Sequence, residues 1–162
     1  MPWIEINPAG LICHRVQRLC ARPYPDHPHG CPNYGRKVGC PPLTPLLSDL
    51  YDMGGPFYAV YSAFDLGAHA MRMLDIHPEW SMRQARCCLY WQGGARKNLK
   101  GEIARFRWAF ADRQWKVDSC PEARGVNISR VLLNAGLRLE WPVRTLAHQV
   151  ALAGLPRKNR YV

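Results

Sequence analysis

The sequence predicts an α+β fold in a single domain, a Pro/Gly/Cys-rich irregular metal-binding N-terminal region packed on a small mixed α/β core. Three observations carry this. The chain has 162 residues, the length of one domain able to bury a core. Nine of its fourteen prolines and four of its seven cysteines fall in the first 45 residues. After Pro42, stretches with strand and helix patterning follow one another to near the C-terminus. The expected division is 1–42 as the cysteine-rich region, 43–156 as the α/β core and 157–162 as a basic tail.

Residues 3–6 read as a short strand. The segment RPYPDHPHGCPNYGRKVGCPP excludes a helix, because proline recurs too often and glycine fills the gaps, and it excludes a central strand. Thr44-Pro45 suits the cap and first turn of a helix through about Tyr51, and Gly54-Gly55-Pro56 ends it. PFYAVYSAFDL, rich in aromatics, predicts a buried strand. Residues 69–76 predict a helix that stops near Pro78. Ser81 caps a second helix running toward Tyr90. Gly93-Gly94 interrupts it, and residues 95–111 have helical spacing, with Leu99, Ile103, Phe106 and Phe110 on one face. Asn127 caps VLLNAG and Gly136 is its left-handed stop. RLEW predicts a short strand, and residues 144–153 a final helix ending at Gly154.

Charge is unevenly placed within a formal total of +10. Residues 1–41 carry +3, 42–82 carry −4, 83–107 carry +6, 108–142 carry +1 and the last twenty carry +4. A basic excess calls for an anionic substrate or partner, nucleic acid being the default. No window approaches the run of about 18 apolar residues of a membrane helix. MPWIEINPAG has no basic segment followed by an apolar run, so no signal peptide is expected and the chain is expected to be cytoplasmic. In that compartment seven cysteines, an odd number, point to metal or reactive thiols rather than disulfides.

Ten residues separate Cys20 from Cys31 and eight separate Cys31 from Cys40. Neither spacing is the close pair of a zinc ribbon. Long loops still bring thiolates together, because closing them costs far less than the roughly 10 kcal/mol that structural metal binding releases. Proline follows Cys31 and Cys40, and again Cys120 in DSCPEARG, stiffening the chain's exit from each. All-thiolate ligation with Cys-Pro turns favours an iron–sulfur cluster, 4Fe-4S being the expected type. Zinc is the alternative, with His14, His27 or His29 completing a mixed site. Cys120 or Cys13 supplies the fourth ligand. If only three cysteines ligate, one iron keeps an open position for chemistry. Cys87-Cys88, adjacent in a predicted helix, point about 100° apart and suit one metal poorly.

CPNYGRKVGCPP resembles the signature of a group of small bacterial and phage proteins described as predicted metal-binding, which carry a Cys-x-x-Tyr/Phe-Gly core followed by Cys-Pro-Pro. The likeness extends through FDLGAHAMRML, CCLYWQGGARKNLKGEI and CPEARGVNISRVLLNAGLRLEWP, and so spans most of residues 20–142. It implies cysteine ligation of a metal, in an iron–sulfur centre, by Cys20, Cys31, Cys40 and Cys120. It implies no particular reaction.

In WQGGARKNLKGE, Gly93-Gly94 precede a predicted helix whose first turns hold Arg96, Lys97 and Lys100. Free N–H groups at a helix start attract an anion, whereas cations there oppose the helix dipole unless an anion is bound. These three residues are the candidate substrate or anion site; a solvated helix face is the plainer reading. Trp80, Trp91, Trp108, Trp115 and Trp141 suit either the core or base stacking. Asp112, Asp118, Glu122 and Glu140 show no spacing of paired catalytic carboxylates.

The leading expectation is a cluster-bearing protein with a basic site for an anionic substrate or partner, a nucleotide or RNA among the candidates, with sulfur or electron-transfer chemistry as the conjecture within it. The alternative is a zinc-stapled basic nucleic-acid-binding module without catalysis. A third reading is a thiol redox protein using Cys87-Cys88.

Overall fold

A four-stranded antiparallel sheet in the order β1-β2-β4-β3 forms the centre of the computed structural model, which describes residues 1–24 and 27–158. The strands are β1 (Trp3–Ile6), β2 (Phe57–Asp65), β3 (Lys116–Asp118) and β4 (Leu146–Gly154). The helices are α1 (His14–Arg18), α2 (Leu47–Leu50), α3 (Leu66–Ile76), α4 (Met82–Ala85), α5 (Gln92–Ala109) and α6 (Ile128–Asn134). Single 3₁₀ turns stand at Leu19–Ala21, Cys88–Tyr90 and Pro121–Arg124. The α+β class is as expected. Residues 159–162 of the basic tail lie outside the described residues.

Alternation along β2 builds both faces of the sheet. Phe57 and Ala59 point to one side, where they pack with Ile6, Leu152, Val126, Val131 and Leu132 under α6 and α2. Tyr58 and Val60 point to the other, against Phe106 of α5 and the rings of Trp3, Phe110 and Trp115. Ala95, Leu99 and Phe106 are the buried stripe of α5, the face that its spacing predicts.

Five expectations are corrected. The segment ending at Gly154 is strand β4, not a helix. It lies between β2 and β3, covered on both faces, so Ala151 to Gly154 are buried consecutively. A central strand of this kind shows no polar alternation, and its alanines mimic helix composition until tertiary pairing overrides propensity. RLEW forms no strand. Its Glu140 instead accepts hydrogen bonds from the N–H groups of Arg144, Thr145 and Leu146 and from the Thr145 hydroxyl, which fixes the turn into β4. The Ser81 helix stops at Ala85, and Cys87 and Cys88 stand outside any α-helix, Cys87 extended and Cys88 opening a 3₁₀ turn. Gly93 and Gly94 lie inside the first turn of α5 rather than before it. The helix near Thr44 also starts later, at Leu47, where the Asp49 carboxylate accepts from Leu46 N–H.

Candidate metal centre

Residues 11–13 thread the cysteine-rich region onto the core. Ile12 bridges Val126, Cys13 N–H donates to Gly125 O at 2.9 Å, and Asn127 N–H donates to Leu11 O. Gly125 has φ +77°, and a Cβ there would fall 2.8 Å from Cys13 O. Only glycine permits both that backbone and that approach.

Cys20 is the middle residue of the 3₁₀ turn that follows α1. The chain returns so that Cys31 N–H donates to Cys20 O at 2.7 Å. Gly30 allows the return, since a Cβ there would meet Cys20 O and Ala21 C at 2.8 Å and its φ is +76°. Turns then follow from Cys31 to Cys40. Tyr34 N–H donates to Cys31 O, Gly35 N–H to Pro41 O at 2.7 Å and Cys40 N–H to Lys37 O. Pro41 and Pro121, which follow Cys40 and Cys120, are fully buried and anchor the exits of both cysteines.

Two polar ties join these turns to the segment carrying Cys120. Buried Gln17 of α1 donates to Thr44 O at 3.0 Å and to Ala123 O at 2.9 Å, while its carbonyl accepts from His14 Nδ1 at 2.7 Å. One amide therefore links α1, the chain after Cys40 and the turn after Cys120. The second tie is Asp118. One carboxylate oxygen accepts from Cys120 N–H at 2.9 Å, and the other pairs with Arg124 Nε at 2.6 Å. Arg124 also donates to the Thr44 hydroxyl. Both partners of this ion pair are largely buried, where removing one would strand the other.

Cys20, Cys31, Cys40 and Cys120 thus share one neighbourhood. Burial raises the Cys20 thiol pKa, and Cys31, Glu122, Cys40 and Cys120 raise it further. Cys120 is exposed at the surface, yet partial desolvation also raises its thiol pKa, followed by Asp118, Glu122 and Cys40, with Lys37 opposing them. Gathered thiols of this kind resist ionisation in the absence of a compensating cation. Cys13 is exposed and stands at the Gly125 crossing. Cys88 contributes, behind burial, Cys31 and Cys20, to a raised pKa at Tyr24, so the Cys87-Cys88 segment borders the same region. All seven cysteines are unpaired.

Among the described residues, no three His, Cys, Asp or Glu side chains are grouped as ligands of a single ion. A lone zinc draws its sulfurs to within about 4 Å of one another, given Zn–S lengths near 2.3 Å. A cubane places iron and sulfide between its ligands and accepts wider separations. The donor set is soft thiolate, which suits iron–sulfur and zinc alike. His14 already spends Nδ1 on Gln17.

Sequence reasoning did not find Gln17 or Arg124, and it named Thr44 only as a helix cap and Asp118 only among carboxylates without catalytic spacing. Only Asp118, two residues before Cys120, had a local signal, that of an Asx turn. Arg96, Lys97 and Lys100 lie in the second and third turns of α5 and are exposed. Lys97 borders a groove with Tyr61 and Arg105, whereas Lys100 borders a different one with Arg107 and Ser119. No helix is long and apolar enough to cross a membrane among the described residues. No protein-family model matches the chain, and neither a curated protein nor a solved structure matches it.

Proposed function

We propose that this protein holds an iron–sulfur cluster, of the 4Fe-4S type, through Cys20, Cys31, Cys40 and Cys120, and that its basic surface receives an anionic substrate or partner. The observation that carries the reading is the convergence of cysteines from separate stretches of chain, held by the Gln17 and Asp118–Arg124–Thr44 ties. The motif resemblance to small predicted metal-binding proteins points the same way, and unpaired thiols suit a reducing, cytoplasmic setting. A bound cluster supplies electron storage or, with an iron left open, a site for sulfur chemistry. The chain supplies buried prolines that stiffen the cysteine turns and the backbone donors around them.

Anaerobic expression and purification should give a brown protein with broad visible absorbance. Cys20→Ala, Cys31→Ala, Cys40→Ala and Cys120→Ala should each bleach it, and Cys13→Ala should not. A colourless protein carrying stoichiometric zinc contradicts the reading and leaves the zinc-stapled module in its place.

A further inference from the structure

We propose that the outer face of α5 binds single-stranded nucleic acid, with backbone phosphates on Arg96, Lys100 and Arg107 and a base stacked on Trp108. The inference names the class of anionic partner in the reading above and stands whatever the cysteines hold.

Helix geometry sorts the side chains. At about 100° per residue, buried Ala95, Leu99 and Phe106 define the inner face. Lys97, Gly101, Ala104 and Trp108 form the opposite crest. Arg96, Lys100 and Arg107 fall within about 40° of one another on one flank and span about 16 Å along the axis. That length takes more than one backbone phosphate.

The charges are available. The helix QGGARKNLKGEIARFRWA holds five Lys and Arg against one Glu. That Glu102 is committed to Arg105 at 3.0 Å. Among the described residues Arg96 has only a neutral partner, Gln92 Oε1. Lys97, Lys100 and Arg107 have no ion pair among the described residues. Like charges four apart, as at Arg96 and Lys100, weaken a helix in isolation, and an anion along the flank reverses that.

Trp108 supplies the second, independent observation. It is 86 % exposed, on the crest beside Arg105 and Arg107. Trp91 and Trp115 instead donate their indole N–H groups to Arg86 O and Phe110 O and pack against neighbouring rings. An indole left in water beside cations offers a stacking face to an unpaired base. A duplex keeps its base faces stacked, and inorganic phosphate gains nothing from the ring. The flank also forms a wall of a trough of about 310 Å³ lined by Lys100, Ile103, Ala104, Arg107, Val117 and Ser119. Ser119 directly precedes Cys120, so one wall of the trough belongs to the segment that carries Cys120.

The test is fluorescence anisotropy with a labelled single-stranded oligonucleotide of about a dozen nucleotides, titrated at several salt concentrations. Three phosphate contacts predict a log–log salt slope of about −2. The double variant Lys100→Ala/Arg107→Ala should flatten the slope to about −0.7 and weaken binding at least tenfold. Trp108→Ala should weaken it by about 5- to 100-fold at unchanged slope, with Trp108→Phe recovering part. Arg130→Ala on α6 should leave affinity unchanged. Unchanged binding in both α5 variants, or equal displacement of the strand by inorganic phosphate or by duplex, overturns the proposal. Iron content is measured on the same preparation. A colourless protein that binds the strand removes the cluster reading alone; a brown protein that ignores it removes this one alone.

Discussion

The cysteine-rich head and the α5-covered sheet are held together by different physics. The sheet relies on apolar burial: Val60, Phe106 and Ala153 are fully buried, and rings from Trp3, Tyr58, Phe110 and Trp115 close around them. The head has few buried apolar side chains among the described residues between 20 and 43 and depends on turns, a buried amide and one ion pair. Burial of that kind is non-directional and tolerant, whereas polar ties are directional and fail when one partner goes. The difference teaches that the core stands on its own packing, while the head rests on directional ties that the proposed metal would reinforce.

If the head holds the proposed metal, that contrast can be broken most visibly by removing it. Stripping with a chelator should erase amide-exchange protection across residues 20–43 and expose that stretch to protease, while β2 and β4 stay protected. Loss of protection in β2 as well would show that the two regions unfold as one. Next in size is Phe106→Ala, expected to lower stability by about 3–5 kcal/mol in loaded and stripped protein alike. Denaturant titration of both forms checks this, and a loss confined to the loaded form would tie the core to the metal. Gln17→Leu should cost about 1–3 kcal/mol by orphaning Thr44 O and Ala123 O, and should also slow metal uptake. Arg124→Lys is a milder probe of the second tie, since lysine cannot serve Asp118 and Thr44 as a fork does.

The smallest effect lies outside both regions, at Glu140. Hydrogen bonds from Leu146 N–H and the Thr145 hydroxyl, with further backbone donors, pull its pKa to about 2. The folded pKa is below that of the unfolded chain, so its stabilisation is present above about pH 4.3 and is lost as pH falls toward 2. Glu140→Gln should remove that part of the acid sensitivity. Parallel pH profiles for variant and wild type would count against the turn's dependence on the carboxylate.

Legibility in the sequence followed the same divide. Residues 3–6 and 57–65 were readable as strands from their patterning, α5 from the period of Leu99, Ile103 and Phe106, and α6 from its Asn127 cap and Gly136 stop. β4 was not, because a central strand rich in alanine carries the composition of a helix. β3 is only three residues long and has no period to detect. The cysteines were visible as candidates from their crowding and the prolines that follow them. What joins them was not, since Gln17 reaches Ala123 across 106 positions and Arg124 reaches Thr44 across 80.

Metal and sulfide analysis of anaerobically purified protein tests the central claim most directly. The account predicts about four iron and four acid-labile sulfide per chain, falling together in Cys20→Ala, Cys31→Ala, Cys40→Ala and Cys120→Ala. One zinc per chain without sulfide, or iron retained when Cys20, Cys31 and Cys40 are replaced together, would contradict it.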